Sequence, residues 1–254
     1  MCIRDSFSSG LTVIRGQLTT IGGSDWVPNL LYQLVRRREY KVVKKLLSLN
    51  SNKKWVENFP PLPTERTDVV TVTTGHYLIV AGGRNKDRDK VCRVDILNTE
   101  TRSWSEAASL PVALENASTA ICGDQLYILV ANYSSGLLLT CDLSALIRSL
   151  ASTPFVWHKL ADSPAKLSTC VAVNGELLAV GGRLYDNRKL KATGAVHKFN
   201  PATNSWDLIS SMPTGRYQCF VTVIPTNELM VVGGCTESSV LGTRIVEVAD
   251  FSAK

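Results

Sequence analysis

Short apolar runs separated by glycine, asparagine and charged clusters recur along the whole chain, and no segment keeps a helical period for more than a few turns. Leu177-Leu178-Ala179-Val180 is followed by Gly181-Gly182, a charged loop, the extended Val196-His197-Lys198-Phe199, and Asn200-Pro201-Ala202-Thr203-Asn204-Ser205-Trp206. The same order runs from Leu78-Ile79-Val80-Ala81-Gly82-Gly83 to Asn98-Thr99-Glu100-Thr101-Arg102-Ser103-Trp104. Continuous apolar runs of this length suit strands covered on both faces. In the second unit the pattern predicts strand a over 67–72, b over 76–83, c over 91–97 and d over 103–107.

Aligning the chain on Gly22-Gly23, Gly82-Gly83, Gly181-Gly182 and Gly233-Gly234, and on Trp55, Trp104, Trp157 and Trp206, gives five units at about 7–58, 59–108, 109–160, 161–210 and 211–254. The glycine pairs allow a tight turn and close backbone approach after strand b, and the indoles fill the space between wedge-shaped sheets, so all are expected to be structural. Two units depart from the pattern. The third has Val130-Ala131-Asn132 in place of Gly-Gly, and Leu143, Leu146, Ile147 and Leu150 predict a short helix between its strands c and d. The fifth has strands a to c but no tryptophan.

A period of about 50 residues with four strands per unit, the Leu-x-Val-Gly-Gly strands, Val94-Asp95-Ile96-Leu97-Asn98 and the spaced tryptophans together resemble the kelch-repeat β-propeller family over residues 11 to about 248. Leu62-Pro63 before Arg66 and Met212-Pro213 before Arg216 fit that family's d-to-a connection. The resemblance implies an all-β propeller and a fragment of a larger kelch protein, part of a six-bladed ring whose last blade is incomplete. Residues 1–6 fit no strand of the repeat and are expected to be non-native. It also implies a non-enzymatic interaction module, in some relatives a substrate receptor of a ubiquitin ligase.

Composition changes this picture little. With 44% hydrophobic and 20% charged residues the chain has an ordinary globular balance, and no apolar run is long enough to span a bilayer. Its seven cysteines are scattered singly and read as reduced core residues of a cytoplasmic protein. Charge is more informative. Arg36, Arg37, Arg38, Lys41, Lys44, Lys45, Lys53 and Lys54 sit beside one acid, Glu39, so this segment carries +7 and the rest of the chain −1, for the net +6. We read that segment as a c-to-d insertion forming an exposed β-hairpin with an apolar inner face. Its functional alternative is a basic surface for anionic membrane or nucleic acid, neither of which is the expected partner.

Catalytic motifs are missing from the sequence: there is no Gly-x-Ser-x-Gly, no P-loop and no paired-cysteine motif. His76, His158 and His197 have no second ligand at metal spacing, so no metal and no cofactor is expected. The alternative to a binding module is an enzyme using polar groups at a central channel. In an a-b-c-d meander the b-to-c and d-to-a connections share one face. That face would carry Arg66, Arg84, Arg88, Asn132, Tyr133, Arg183, Tyr185, Arg216 and Tyr217, an arginine and tyrosine set suited to a protein partner or an acidic peptide. Because Arg66 and Arg216 occupy equivalent repeat positions, a structural role in tying the turns is the competing reading for these two.

Overall fold

The apolar runs at 78–81 and 177–180 form the second strands of four-stranded antiparallel meanders. The computed structural model describes residues 6–7, 10–15, 17–21, 24–26, 40–42, 45–115, 117–131, 136–149, 155–186, 189–237 and 242–250. Two compact units divide the chain, one of residues 1–116 with 145–155 and the other of 117–144 with 156–254.

The first unit holds two such meanders. One consists of Gly10–Ile14, Gln17–Ile21, Leu46–Leu49 and Trp55–Val56, and the next of Val70–Thr74, Tyr77–Ala81, Val94–Asn98 and Ser103–Glu106. Their facing surfaces share one core that includes Ile14, Ile21, Leu46, Leu62, Leu78 and Leu97, with Phe59 and Trp104 packed against it. The Trp104 indole N–H donates to the carbonyl of Pro60 at 3.1 Å, so the aromatic fixes the preceding turn as well as filling volume. A third, small sheet joins Ser6–Phe7, which precedes the first meander, to Ser24–Trp26 and Tyr40–Val42, which lie between its second and third strands.

That branch corrects the placement of the basic segment. Leu46–Leu49 pairs with Gln17–Ile21 and is therefore strand c, so residues 24–45 belong to the b-to-c connection, and of the basic residues only Lys53 and Lys54 lie in the expected c-to-d connection. The interval from Gly23 to Trp55 contains strand c itself, which its length alone does not reveal. Leu46 and Ser48 are buried while Leu47 and Leu49 are half-buried, an alternation that marks a sheet strand.

In the second unit the third meander is Ser118–Cys122, Gln125–Ala131, Gly136–Asp142 and His158–Lys159, with the expected helix at Leu143–Arg148 directly after its third strand. The fourth is Thr169–Val173, Glu176–Val180, Ala195–Asn200 and Ser205–Ser211, and the fifth, three-stranded, is Phe220–Val223, Glu228–Val232 and Val246–Asp250. A two-stranded hairpin, Arg183–Asp186 with Lys189–Ala192, extends the fourth b-to-c connection. The architecture is thus all-β, with five successive sheets in the blade order of a β-propeller.

Strand a of the second sheet starts at Val70 and not at 67, because Asp68 has a φ of 54° and Thr67 pairs instead with Arg84 in the turn. Gly82 and Gly83 have φ of 61° and 93°, and a Cβ on Gly83 would lie 2.5 Å from the Thr67 carbonyl. Only glycine meets both conditions at once.

Candidate functional site

The second glycine of each described pair brings the next connection into contact with a d-to-a turn. In the first unit Thr67 and Arg84 exchange backbone hydrogen bonds of 3.0 and 2.8 Å, and Gly83 N–H donates to the Leu114 carbonyl at 2.8 Å. The 84–91 loop is then closed by its own polar groups. Asn85 Oδ1 accepts from the amides of Asp87 and Asp89, both at 2.9 Å, and Arg84 Nη1 donates to the Arg88 carbonyl at 2.7 Å. The rest of the Arg84 guanidinium forks onto Glu115, with Nη2 at 2.7 Å from Oε1, and Lys90 Nζ lies 3.1 Å from the same oxygen. Burial works to raise the Glu115 pKa, but hydrogen bonds from Arg84 and Lys90 hold it below the usual carboxylate range. Arg84 is therefore a loop clamp, while Arg88 is exposed at the loop tip.

The equivalent arrangement in the second unit is more open. Lys166 and Arg183 exchange backbone hydrogen bonds of 3.0 and 2.6 Å at the base of the hairpin. The Arg183 guanidinium lies 4.9 Å from the Tyr217 ring centroid, with Nη2 3.6 Å from Glu237 Oε1. Glu237 also accepts from the Ala192 amide, which joins the fourth and fifth b-to-c connections. Lys166 Nζ sits 5.3 Å from the ring of Tyr185, and Tyr185 is 66% exposed beside Leu184 at 40%. Two cation–aromatic pairs and an exposed apolar neighbour thus share one hairpin, a surface that can offer both charge and rigid area to a partner.

Two expected contact residues do not lie on that surface. Arg66 and Arg216 are 1% and 0% exposed. Arg216 Nη1 donates to the carbonyls of Gly233 at 3.1 Å and Ile245 at 2.9 Å, and Nη2 meets Glu247 at 2.7 Å. Arg66 repeats this with Gly82, Arg93 and the buried Asp95. Both arginines tie the glycine turn to the start of strand c, so the structural reading of the repeated arginine holds for both. Tyr217, 4% exposed, backs Arg183 and is not itself open to a partner.

Asn132, Tyr133, Gly22, Gly23, Arg36, Arg37, Arg38 and Lys44 lie outside the described residues. Lys41 is described only as a strand position, and Lys45 lies 3.6 Å from Glu57 on the surface. Lys166 and Glu115 were not picked out from the sequence. The repeat register could have found Lys166, since it holds the turn position of Thr67 and Tyr217, which bridge to Arg84 and Cys235 as Lys166 bridges to Arg183.

Among the described residues no three of His, Cys, Asp and Glu are placed to hold a metal ion. His76 is exposed and 3.2 Å from Glu100, His158 is exposed, and His197 has its pKa lowered by burial. No helix among the described residues is long and apolar enough to cross a membrane.

Comparison with known proteins adds sequence relationships to this geometry. Residues 9–234 match the KLHDC2/KLHL20/DRC7 Kelch-repeats domain. A kelch repeat-containing protein of Arabidopsis thaliana is 22% identical over 220 residues, covering 79% of this chain and 51% of the relative. An F-box/kelch-repeat protein of the same plant is 29% identical over 94 residues, 36% of this chain and 24% of the relative. The Kelch-like protein terF of Aspergillus terreus is 25% identical over 142 residues, 54% of this chain and 30% of the relative. The chain thus spans about half or less of the length of these curated relatives. The solved structure of YjhT superimposes with a TM-score of 0.74 at 16% identity, covering 98% of this chain and 83% of that one, which is a likeness of fold.

Proposed function

Because the chain belongs to the kelch-repeat family, we propose that it works as a non-catalytic interaction module, an adaptor or scaffold that holds a partner protein or an acidic peptide segment on its b-to-c and d-to-a connections. The observation that carries this reading is the hairpin at 183–192. Its cations Lys166 and Arg183 are held against tyrosines, and the exposed Tyr185 and Leu184 project beside them. The rings hold both cations beside the exposed Tyr185 and Leu184, with Arg183 also facing Glu237, so the surface offers oriented charge next to rigid apolar area. Arg84, clamped onto the partly buried Glu115, contributes loop shape.

The fuller form of the proposal is a receptor that presents other proteins to a ubiquitin ligase in the cytoplasm. One relative carries an F-box in its name beside the kelch repeats, which supports that form. The test is quantitative affinity capture with the wild-type chain and with the variants Tyr185→Ala, Lys166→Ala and His158→Ala, the last on an exposed residue away from the hairpin. Partners lost with Tyr185→Ala and Lys166→Ala but kept with His158→Ala support the reading. The same partners at the same recovery from all four proteins refute the assigned surface.

The position of the basic segment favours one extension of this reading. Residues 24–45 belong to a b-to-c connection, the same class of connection as 84–91 and 183–192. Its charge would then act with the arginine-bearing loops toward acidic partners. Capture that persists after Arg36, Arg37 and Arg38 are changed to serine, at low and at high salt alike, would remove this extension.

A further inference from the structure

The turns from strand a to strand b are matched positions of the repeat, and one residue in them stands apart. Ile14 pairs with Gln17, Thr74 with Tyr77, Cys122 with Gln125 and Val173 with Glu176, so the first four sheets close this step with a turn of two residues. The first residue of each turn is left-handed, with φ of 49° at Arg15, 50° at Gly75, 58° at Gly123 and 52° at Asn174. Glycine and asparagine are the residues that enter this region readily in such a hairpin turn. Arginine closes the turn no better than they do and strains the backbone as well.

What Arg15 adds is a guanidinium at a polar recess. An open pocket of about 310 Å³ between the first two meanders is lined by Arg15, Thr73, Thr74, Gly75, Tyr77 and Thr99. The space over Gly75 is free, since a Cβ there would meet no atom within 4 Å. Arg15 is exposed and has no carboxylate partner among the described residues, whereas Arg66, Arg84, Arg93 and Arg216 each hold an ion pair. The flanking His76 and Glu100 are turned to each other, with Nδ1 3.2 Å from Oε1. Thr99 Oγ1 donates to the His76 carbonyl at 3.0 Å, so the Arg15 guanidinium and the Thr74 hydroxyl remain as donors at the pocket.

From this turn and this pocket we infer an anion site for a phosphate group, either free or carried on a small organic molecule. A guanidinium supplies a charged fork of N–H donors, and the threonine hydroxyl adds a donor from the neighbouring sheet. A tetrahedral oxyanion uses such a set more fully than a flat carboxylate does. Backbone strain of the kind held at Arg15 gathers at ligand sites, where the strained side chain is the one that is needed. The a-to-b turns lie at the other end of the strands from the b-to-c connections, so this site is separate from the partner surface at 183–192.

The experiment compares the 254-residue chain with Arg15→Gly, Arg15→Asn, Thr74→Val and Arg244→Gln, the last removing an exposed charge before the third strand of the fifth sheet. Thermal midpoints are read at one pH and one ionic strength while chloride is replaced stepwise by inorganic phosphate or by phenyl phosphate. In chloride the two Arg15 variants are expected to melt at least as high as the wild type, because both residues suit the turn. The wild type and Arg244→Gln are expected to show a saturable rise of about 2–4 °C with phosphate. Thr74→Val should need about threefold more phosphate for half of that rise. Both Arg15 variants should keep only the unsaturable rise that excluded salts give any protein. Saturation by phenyl phosphate alone assigns the site to an organic phosphate, and saturation by both assigns it to the phosphate group itself. A saturable rise retained by the Arg15 variants overturns the inference, and so does a wild-type response no larger than theirs.

Discussion

Arg216 Nη2 lies 2.7 Å from Glu247 Oε2, and this pairing of a buried turn arginine with a strand c carboxylate is repeated by Arg66 and Asp95 three repeats earlier in the chain. Removing one partner of such a pair leaves an uncompensated buried charge. Asp95→Ala and Glu247→Ala are therefore each expected to cost about 3–5 kcal/mol, read by urea unfolding. Leucine is accommodated at each of these repeat positions elsewhere in the chain, Leu114 holding that of the arginine and Leu139 that of the carboxylate, each 1% exposed. The double replacement of Arg66 and Asp95 by leucine should accordingly recover most of the loss, while either single leucine does not.

Glycine pairs give a sharper contrast within one protein. A Cβ on Gly83 or Gly182 would meet a backbone carbonyl at 2.5 or 2.7 Å, at φ of 93° and 111°, whereas one on Gly75, at φ 50°, meets nothing within 4 Å. Gly83→Ala and Gly182→Ala should each destabilise by more than about 2 kcal/mol and Gly75→Ala by about 1 kcal/mol, measured as shifts in denaturant midpoint.

His197 stands where Asp95 and Glu247 stand in their sheets, but the arginine position is Ala165. Burial lowers the His197 pKa below its ordinary 6.5, so the unfolded chain binds the proton first as pH falls. Stability contributed by the neutral ring is complete above about pH 6.5 and is lost as pH drops through the folded value. Thermal midpoints measured from pH 8 to 5 should fall less for His197→Gln than for the wild type.

The cysteines should separate by chemistry. Burial pushes the Cys141 thiol up to about 12 and, against the lowering effect of its Ser118 hydrogen bond, Cys170 up to about 11, while Cys92 and Cys235 are half-exposed. Because the thiolate is the reactive form, iodoacetamide at pH 8 followed by peptide mapping should label Cys92 and Cys235 well before Cys141 and Cys170.

The repeat was legible because each of its signals has a local cause. Gly83 and Gly182 hold backbone that other residues avoid, Asn98 and Asn200 close turns with their own side chains, and Trp104 fixes the Pro60 carbonyl. The partners of the arginines were not legible. Repeat position sets Arg66 and Arg216 apart from Arg84 and Arg183, but only the fold shows the first two buried against strand c, Arg84 clamped by Glu115 and Arg183 laid on Tyr217. Strand c of the first sheet was hidden for a related reason. Leu46–Leu49 follows a run of basic residues, and its pairing with Gln17–Ile21 spans an insertion that carries strands of its own.

The proposed role is tested most directly by a footprint on the bound protein. Hydrogen exchange of the 254-residue chain, alone and saturated with a partner recovered by capture, is expected to show new protection at 183–192 and at 235–237. The turns at 98–103 and 200–205 should stay unchanged. Protection confined to those turns, with 183–192 exchanging as in the free chain, would contradict the account.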